Sequence, residues 1–360
     1  MKPIEELREF PALSPAAFQH PLDVQATKNL QQVPLLAPLL KIVSSTVFEK
    51  QMRLMSISGS VRLGPNQGRS IYEKFERAAE ILDIPKLPEI YVSNEYIVNA
   101  YAYGLDNYQI TLFSGLIDAL TEEELLSVIG HELGHVKCEH MLYKTIAFIL
   151  RAFGLEYFKR LLPAGTEAFV IMPLKLAILQ WERMAELSCD RASLLVVQDR
   201  ELVASALSKL AGGSQKLLPE INLAEILKQA EEYDDSEAGL LEQIIKVNMM
   251  LLQTHPFPTV RVKEIWEWAE SEQYQHILNG EYVHLKDSPA LIVDEPVGRR
   301  CPGCRNIGPL SAATCLACGS SMRGGHLVCT TCCLRVFSGW QICPGCGSQL
   351  AVPVNEAATS

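Results

Sequence analysis

The chain has 360 residues, 48% of them hydrophobic and 21% charged, with a formal net charge of -10. That composition predicts a folded chain with a sizeable core, built as one large domain plus a smaller one or as two domains. The acidic balance argues against a nucleic-acid backbone binder. The opening MKPIEELREF lacks the apolar run of a secretory leader. Of the 11 cysteines, all but Cys138 and Cys189 fall between Cys301 and Cys346, which reads as metal binding in a reducing compartment rather than a disulfide framework. The expected location is cytoplasmic, peripheral to a membrane at most.

Residues 15–85 read as mostly helical; in QGRSIYEKFERAAEILDI the apolar Ile71, Phe75, Ala78 and Ile81 recur at helical spacing. The Tyr-, Ile- and Val-rich stretch 87–113, broken near Gly104, predicts a strand followed by a hairpin. Thr121 with Glu124 three residues on forms a capping box, so a helix starts there and carries VIGHELGHVKCEH in its interior. From 141 to about 272 the pattern is helical, with an acidic, solvated turn at EEYDDSE. The greasiest segment, Leu161 to Trp181, is interrupted by Pro163, Glu167, Pro173 and Lys175. It makes a poor spanning helix, which needs roughly 20 largely apolar residues. The expectation is a buried helical hairpin, with a membrane-dipping segment as the alternative. Residues 285–300 have no helical period and read as a linker.

His131 and His135 stand four apart with Glu132 after the first, the H-E-x-x-H pattern. Residues i and i+4 share a helix face, so both imidazoles can address one ion, while Glu132 sits beside it as a general base for water. A catalytic zinc needs a third protein ligand. The extended pattern with Gly and a third His fails, because those positions hold Cys138 and Met141. A glutamate route through Glu156 lacks an acid four residues on, where Arg160 stands. The pair Glu186 and Asp190, four apart on a strongly helical stretch, completes the site most economically. Glu186 is able to coordinate zinc, and Asp190 to accept a hydrogen bond from a ligand histidine. Cys138 and His140 read as bystanders, and Cys189 as an inert thiol.

These residues resemble the HtpX-like and CaaX-prenyl-protease-like zinc metallopeptidases, the minigluzincins, over roughly 90–265. The likeness lies in VNAYAYG (98–104), SGLIDALTEEELLSVIGHELGH (114–135), RMAELSCDRA (183–192) and THPFPTVRV (254–262). The resemblance implies zinc held by His131, His135 and Glu186, Glu132 as base, and endopeptidase activity on proteins or peptides. It further implies that Asn99 and Ala100 lie on an edge strand that pairs with substrate, that His255, followed by Pro256, donates to the oxyanion, and that Arg261 holds that segment or a nearby carboxylate. Unlike the membrane-bound members, this chain carries Lys144, Arg151, Glu156, Lys159 and Arg160 between His135 and Glu186, which argues against integral membrane insertion.

The tail repeats itself. Cys301, Cys304, Cys315 and Cys318 form C-x2-C-x10-C-x2-C, and Cys329, Cys332, Cys343 and Cys346 form it again, with Cys333 left over. Each set of four thiolates suits a closed structural zinc, and such small modules fold on their metal. The tail has few basic residues, so protein contacts are expected over nucleic acid. The expected fold is α+β: an N-terminal helical region (1–85), a mainly helical minigluzincin-type catalytic domain with a small sheet and hairpin (86–284), the linker (285–300) and two zinc ribbons (301–350). The expected function is a zinc metalloendopeptidase with one catalytic and two structural zinc ions. A latent scaffold that binds protein partners through its ribbons and a membrane-associated protease are the alternatives.

Overall fold

The computed structural model describes residues 3–284 apart from 32, 34–45, 85, 105–106, 160–166, 213–216, 218–219 and 236–256. In the tail it describes 297–301, 307–310, 312, 314, 322, 327–330, 336 and 349–350. The chain forms two compact units, Met1–Phe10 with Phe18–Asn279, and Pro11–Ala17 with Gly280–Ser360.

The first unit is mainly helical with one small sheet. It begins with α1 (Pro21–Gln31) and α2 (Thr46–Gly59), then a two-residue strand β1 (Val61–Arg62) and α3 (Arg69–Ile81). The periodic face of α3 buries Phe75, Ala78 and Ile81, as the spacing predicts. Next come β2 (Glu89–Ser93) and the hairpin β3 (Ala100–Tyr103) and β4 (Gln109–Phe113). The sheet order is β1-β2-β4-β3. β2 runs parallel to β4, Ile90 opposite Ile110, and β3 runs antiparallel to β4, Ala100 opposite Leu112. β4 buries Gln109, Ile110, Thr111 and Leu112 on both faces, the pattern of a central strand. That leaves β3 at the edge of the sheet.

The helices that follow are α4 (Ser114–Ala119), α5 (Glu122–Lys137), α6 (Met141–Lys159), α7 (Glu167–Val197), α8 (Arg200–Gly212), α9 (Leu223–Asp235), α10 (Pro258–Glu270) and α11 (Glu272–Asn279). The capping box forms: the Glu124 amide donates to Thr121 Oγ1 at 3.3 Å, and the Thr121 amide donates to the Glu124 carboxylate at 2.7 Å. The same carboxylate accepts from Ser205 Oγ at 2.7 Å and from Lys209 Nζ at 2.6 Å. The cap therefore also ties α5 to α8. Every residue from Glu124 to Lys137 is buried, so α5 is a central helix rather than an amphipathic surface helix.

The most extensive helix contact is between α5 and α7. Two glycines of α5 permit it. A Cβ at Gly130 would lie 2.9 Å from Val196 Cβ, and one at Gly134 would lie 2.8 Å from Ala192 Cβ. Glycine interrupts a helix at a cost of about 1 kcal/mol relative to alanine; here that cost is offset by the close approach of the metal-motif helix to its neighbour.

Two expectations change. Residues 167–181 are not a hairpin but the first half of the single helix α7, which continues through Pro173 to Val197. Leu174, Ile178, Leu179 and Trp181 are buried in the unit while Pro173 is exposed, so an amphipathic face supports the run from Pro173 to Trp181. Residues 161–166 lie outside the described residues. No helix among the described residues is long and apolar enough to cross a membrane. The end of the expected linker is likewise structured: β5 (Val297–Arg300) is the central strand of a three-stranded sheet in the second unit, flanked by β6 (Ile307–Gly308) and β7 (Leu327–Cys329). Both pairings are antiparallel. Cys301, directly after β5, and Cys329, at the end of β7, are buried. Cys304, Cys315, Cys318, Cys332, Cys333, Cys343 and Cys346 lie outside the described residues.

Candidate active site

The i, i+4 spacing on α5 brings both histidines to the same carboxylate. His131 Nε2 lies 3.3 Å from Glu186 Oε2, and His135 Nε2 lies 3.3 Å from Glu186 Oε1. Glu186 comes from α7, held close by Gly130 and Gly134. All three side chains are buried. Two ligand atoms of a tetrahedral zinc, each about 2.0–2.1 Å from the ion, stand about 3.3–3.4 Å apart. Nitrogen and carboxylate oxygen at that separation are a donor set that fits zinc. Lys144 supports this fit: its ammonium donates to His135 Nε2 at 2.9 Å and lies 3.9 Å from Glu186 Oε1. A cation already rests against these two donors.

A second combination also clusters, since ligand atoms of His131, His135 and Cys189 lie within 4.8 Å of one another. Its chemistry is less suitable. Cys189 Sγ sits 3.1 Å from His135 Nδ1, the nitrogen turned away from Glu186. Burial also pushes the Cys189 thiol well above its ordinary pKa, and zinc binds the thiolate. On geometry and charge, Glu186 fits the third position better than Cys189.

His131 is oriented from behind. Its Nδ1 donates to Asp190 Oδ1 at 3.0 Å. Arg261 of α10 grips that carboxylate with two bonds, Nη2 to Oδ1 at 2.6 Å and Nε to Oδ2 at 2.8 Å, and places Nη1 3.5 Å from Glu186. Burial opposes charge on Asp190, but the Arg261 guanidinium outweighs it and holds the carboxyl below its usual range. Burial likewise opposes the charge on His131, yet the Glu186 and Asp190 carboxylates raise it to about 9. Loading a metal on His131 therefore releases a proton. Burial and the Lys144 charge push His135 well below its ordinary value, so it stays a neutral imidazole.

Glu132 is buried in the wall of the site, and its Oε2 has no hydrogen-bond partner among the described residues. A cleft of about 300 Å³ opens here, lined among others by Asn99, Ala100, His131, Glu132, Glu186 and Phe257. The start of β3 thus borders the same cleft as His131 and Glu186. His255 and Pro256 lie outside the described residues; Phe257 and Pro258, which follow them, line the cleft.

His140 is not a bystander. Its Nδ1 lies 3.1 Å from His135 Nδ1 and its Nε2 lies 3.0 Å from Asp23 Oδ2 on α1. Burial opposes the charge on Asp23, but His140 and Ser188 hold its carboxyl below the usual range. Neither Asp23 nor Lys144 carries a motif that reveals it, although a lysine within the apolar run from Met141 to Ile149 is the one available signal.

Residues 65–269 match Peptidase family M48. The chain is 36% identical over 265 residues to the plastoglobule-localized metallopeptidase 48, chloroplastic, of Arabidopsis thaliana, covering 72% of this chain and 74% of that relative. It is 29% identical over 240 residues to a protease HtpX homolog of Moorella thermoacetica, covering 58% of this chain and 75% of the relative. The crystal structure of S. mikatae Ste24p matches with a TM-score of 0.39 and 16% identity, over 68% of this chain and 61% of that one. The expected cytoplasmic location does not stand, because the Arabidopsis relative is named as chloroplastic and plastoglobule-localized. The family match spans both histidines, Glu186 and Arg261, and with it the chain belongs to peptidase family M48, as a zinc-dependent protease similar to the HtpX homologs.

Proposed function

We propose that His131, His135 and Glu186 hold the catalytic zinc of this protease and that Glu132 is its general base. The observation that carries this reading is the convergence of both imidazole Nε2 atoms on one buried carboxylate, each at 3.3 Å. Zinc bound there lowers the pKa of water and polarises the scissile carbonyl. Glu132 takes the proton from the attacking water and returns it to the leaving amine. Its Oε2, with no hydrogen-bond partner among the described residues, is available for the transfer. Asp190, fixed by Arg261, holds the His131 tautomer. The substrate backbone pairs with the outer edge of β3 at Ala100 and the preceding Asn99, displacing the Asn99 Oδ1 that accepts from the Ala100 amide at 2.9 Å. His255, two residues before the cleft-lining Phe257, is the proposed oxyanion donor.

In the tail, Cys301, Cys304, Cys315 and Cys318 hold one structural zinc in this reading, and Cys329, Cys332, Cys343 and Cys346 hold a second. Support comes from the duplicated spacing and from the burial of Cys301 and Cys329. The ribbons serve as a protein-contact module. The test of the catalytic assignment is Glu132→Gln, which retains zinc but hydrolyses a generic protein substrate at least about 1,000-fold more slowly, since the proton acceptor is gone. Full activity in that variant would refute the role of Glu132.

A further inference from the structure

The buried chain Asp23–His140–His135 is unused by the mechanism above. A neutral imidazole has one N–H, so the state of each nitrogen follows from its neighbours. Lys144 Nζ is only a donor, and it lies 2.9 Å from His135 Nε2. His135 Nε2 is therefore the acceptor, and the proton resides on Nδ1. That Nδ1–H points at His140 Nδ1, 3.1 Å away, with Cys189 Sγ, a weak acceptor, at the same distance. His140 Nδ1 accepts only if the His140 proton is on Nε2. The ionised Asp23 carboxylate, an acceptor only, lies 3.0 Å from that Nε2 and keeps the proton there.

The chain is rigid at its far end. Asp23 Oδ2 also accepts from Ser188 Oγ at 2.6 Å and from Gln19 Nε2 at 2.8 Å. The His20 amide donates to Ser188 Oγ at 2.9 Å, and the His140 ring stands edge-on to Trp181. Asp23, His140 and His135 are all buried, so water does not replace any link.

We propose that Asp23, acting through His140, is the positioning device for the zinc ligand His135, the counterpart of Asp190 on His131. It follows that helix α1, at the N-terminal end and outside the family match, is part of the zinc site. The proposal rests on the reading of His135 as a ligand. If His140 only fills the core, polar replacements of either shape will hold zinc alike. If it is the acceptor for His135, shape decides. Asparagine places its carbonyl oxygen where Nδ1 stands and keeps the acceptor; glutamine reaches instead to the position of Nε2, beside Asp23.

The experiment measures zinc retained by the full chain against graded dipicolinate. The His135→Ala chain is subtracted so that only the catalytic site is counted. Loss of an outer-shell partner of a ligand histidine weakens metal about 10–100-fold, so His140→Gln should bind at least about tenfold more weakly than His140→Asn, with Asn close to the parent. In the His140→Gln background, adding Asp23→Asn should change affinity little, because Asp23 acts only through His140. Equal zinc affinity of the Asn and Gln variants, or an undiminished Asp23→Asn effect in the His140→Gln background, would overturn the relay. Full zinc retention in His135→Ala would instead overturn the ligand assignment beneath it.

Discussion

Gly134→Ala separates the packing of the site from its chemistry. The new Cβ would lie 2.8 Å from Ala192 Cβ and 3.0 Å from Cys189 Cα. Carbon atoms rest at about 3.5–4.0 Å, so α5 and α7 must part by about 0.7–1 Å where they cross. Neither obstacle can swing away, since one is a methyl on a rigid helix and the other is backbone. Alanine returns about 1 kcal/mol of helix propensity and the overpacking costs about 1–3 kcal/mol, leaving a net loss of about 0–2 kcal/mol. The melting temperature should fall by no more than about 8 °C. The functional effect is larger, because the helices part between His135 on one and Glu186 on the other. A misplacement of about 1 Å costs on the order of 100-fold in rate. The assay is kcat/KM on a fluorescent casein with zinc in excess, paired with thermal unfolding. A variant with undiminished kcat/KM would refute the argument that the glycines set the ligand geometry.

Two other perturbations follow from the charges around the site. Arg261→Met leaves Asp190 buried against His131 without its guanidinium partner, and urea unfolding should show a loss of about 3–5 kcal/mol; a loss below about 1 kcal/mol would mean that the bidentate bridge contributes little. Lys144→Met removes an ammonium that competes with a bound metal for the His135 Nε2 lone pair, so zinc affinity by chelator competition should rise by roughly tenfold; unchanged or weaker affinity would show that Lys144 does not contend for the site.

What the sequence makes legible is the part whose signal is local. The Thr121–Glu124 capping box places α5, the Tyr-, Ile- and Val-rich run broken near Gly104 places the β3–β4 hairpin, and the i, i+4 spacings of His131 with His135 and of Glu186 with Asp190 place each pair on one helix face. The pairing of β2 with β4 rather than with β3 is not local: it depends on β4 being buried on both faces, and a short apolar run carries no strand order. β1, only two residues long, has no period to detect. Pro173 reads as a helix breaker, yet α7 runs through it because the buried Leu174, Ile178, Leu179 and Trp181 hold the helix from one side. His140 misleads because its role depends on Asp23, which is 117 residues away and belongs to a helix with no motif. Gly130 and Gly134 look unfavourable in a helix until the face of α7 against them is known.

The central claim is that Glu186 and not Cys189 completes the catalytic metal site. It is tested most directly by the zinc content of the full-length chain carrying Glu186→Gln, compared with Cys189→Ala and the parent. The glutamine amide has no charge to offer zinc, whereas Cys189→Ala removes a thiol that meets the far nitrogen of His135 and His140 Nδ1. Glu186→Gln should hold one zinc fewer than the parent and Cys189→Ala the same number. The reverse pattern, with zinc lost at Cys189→Ala and kept at Glu186→Gln, would contradict the account.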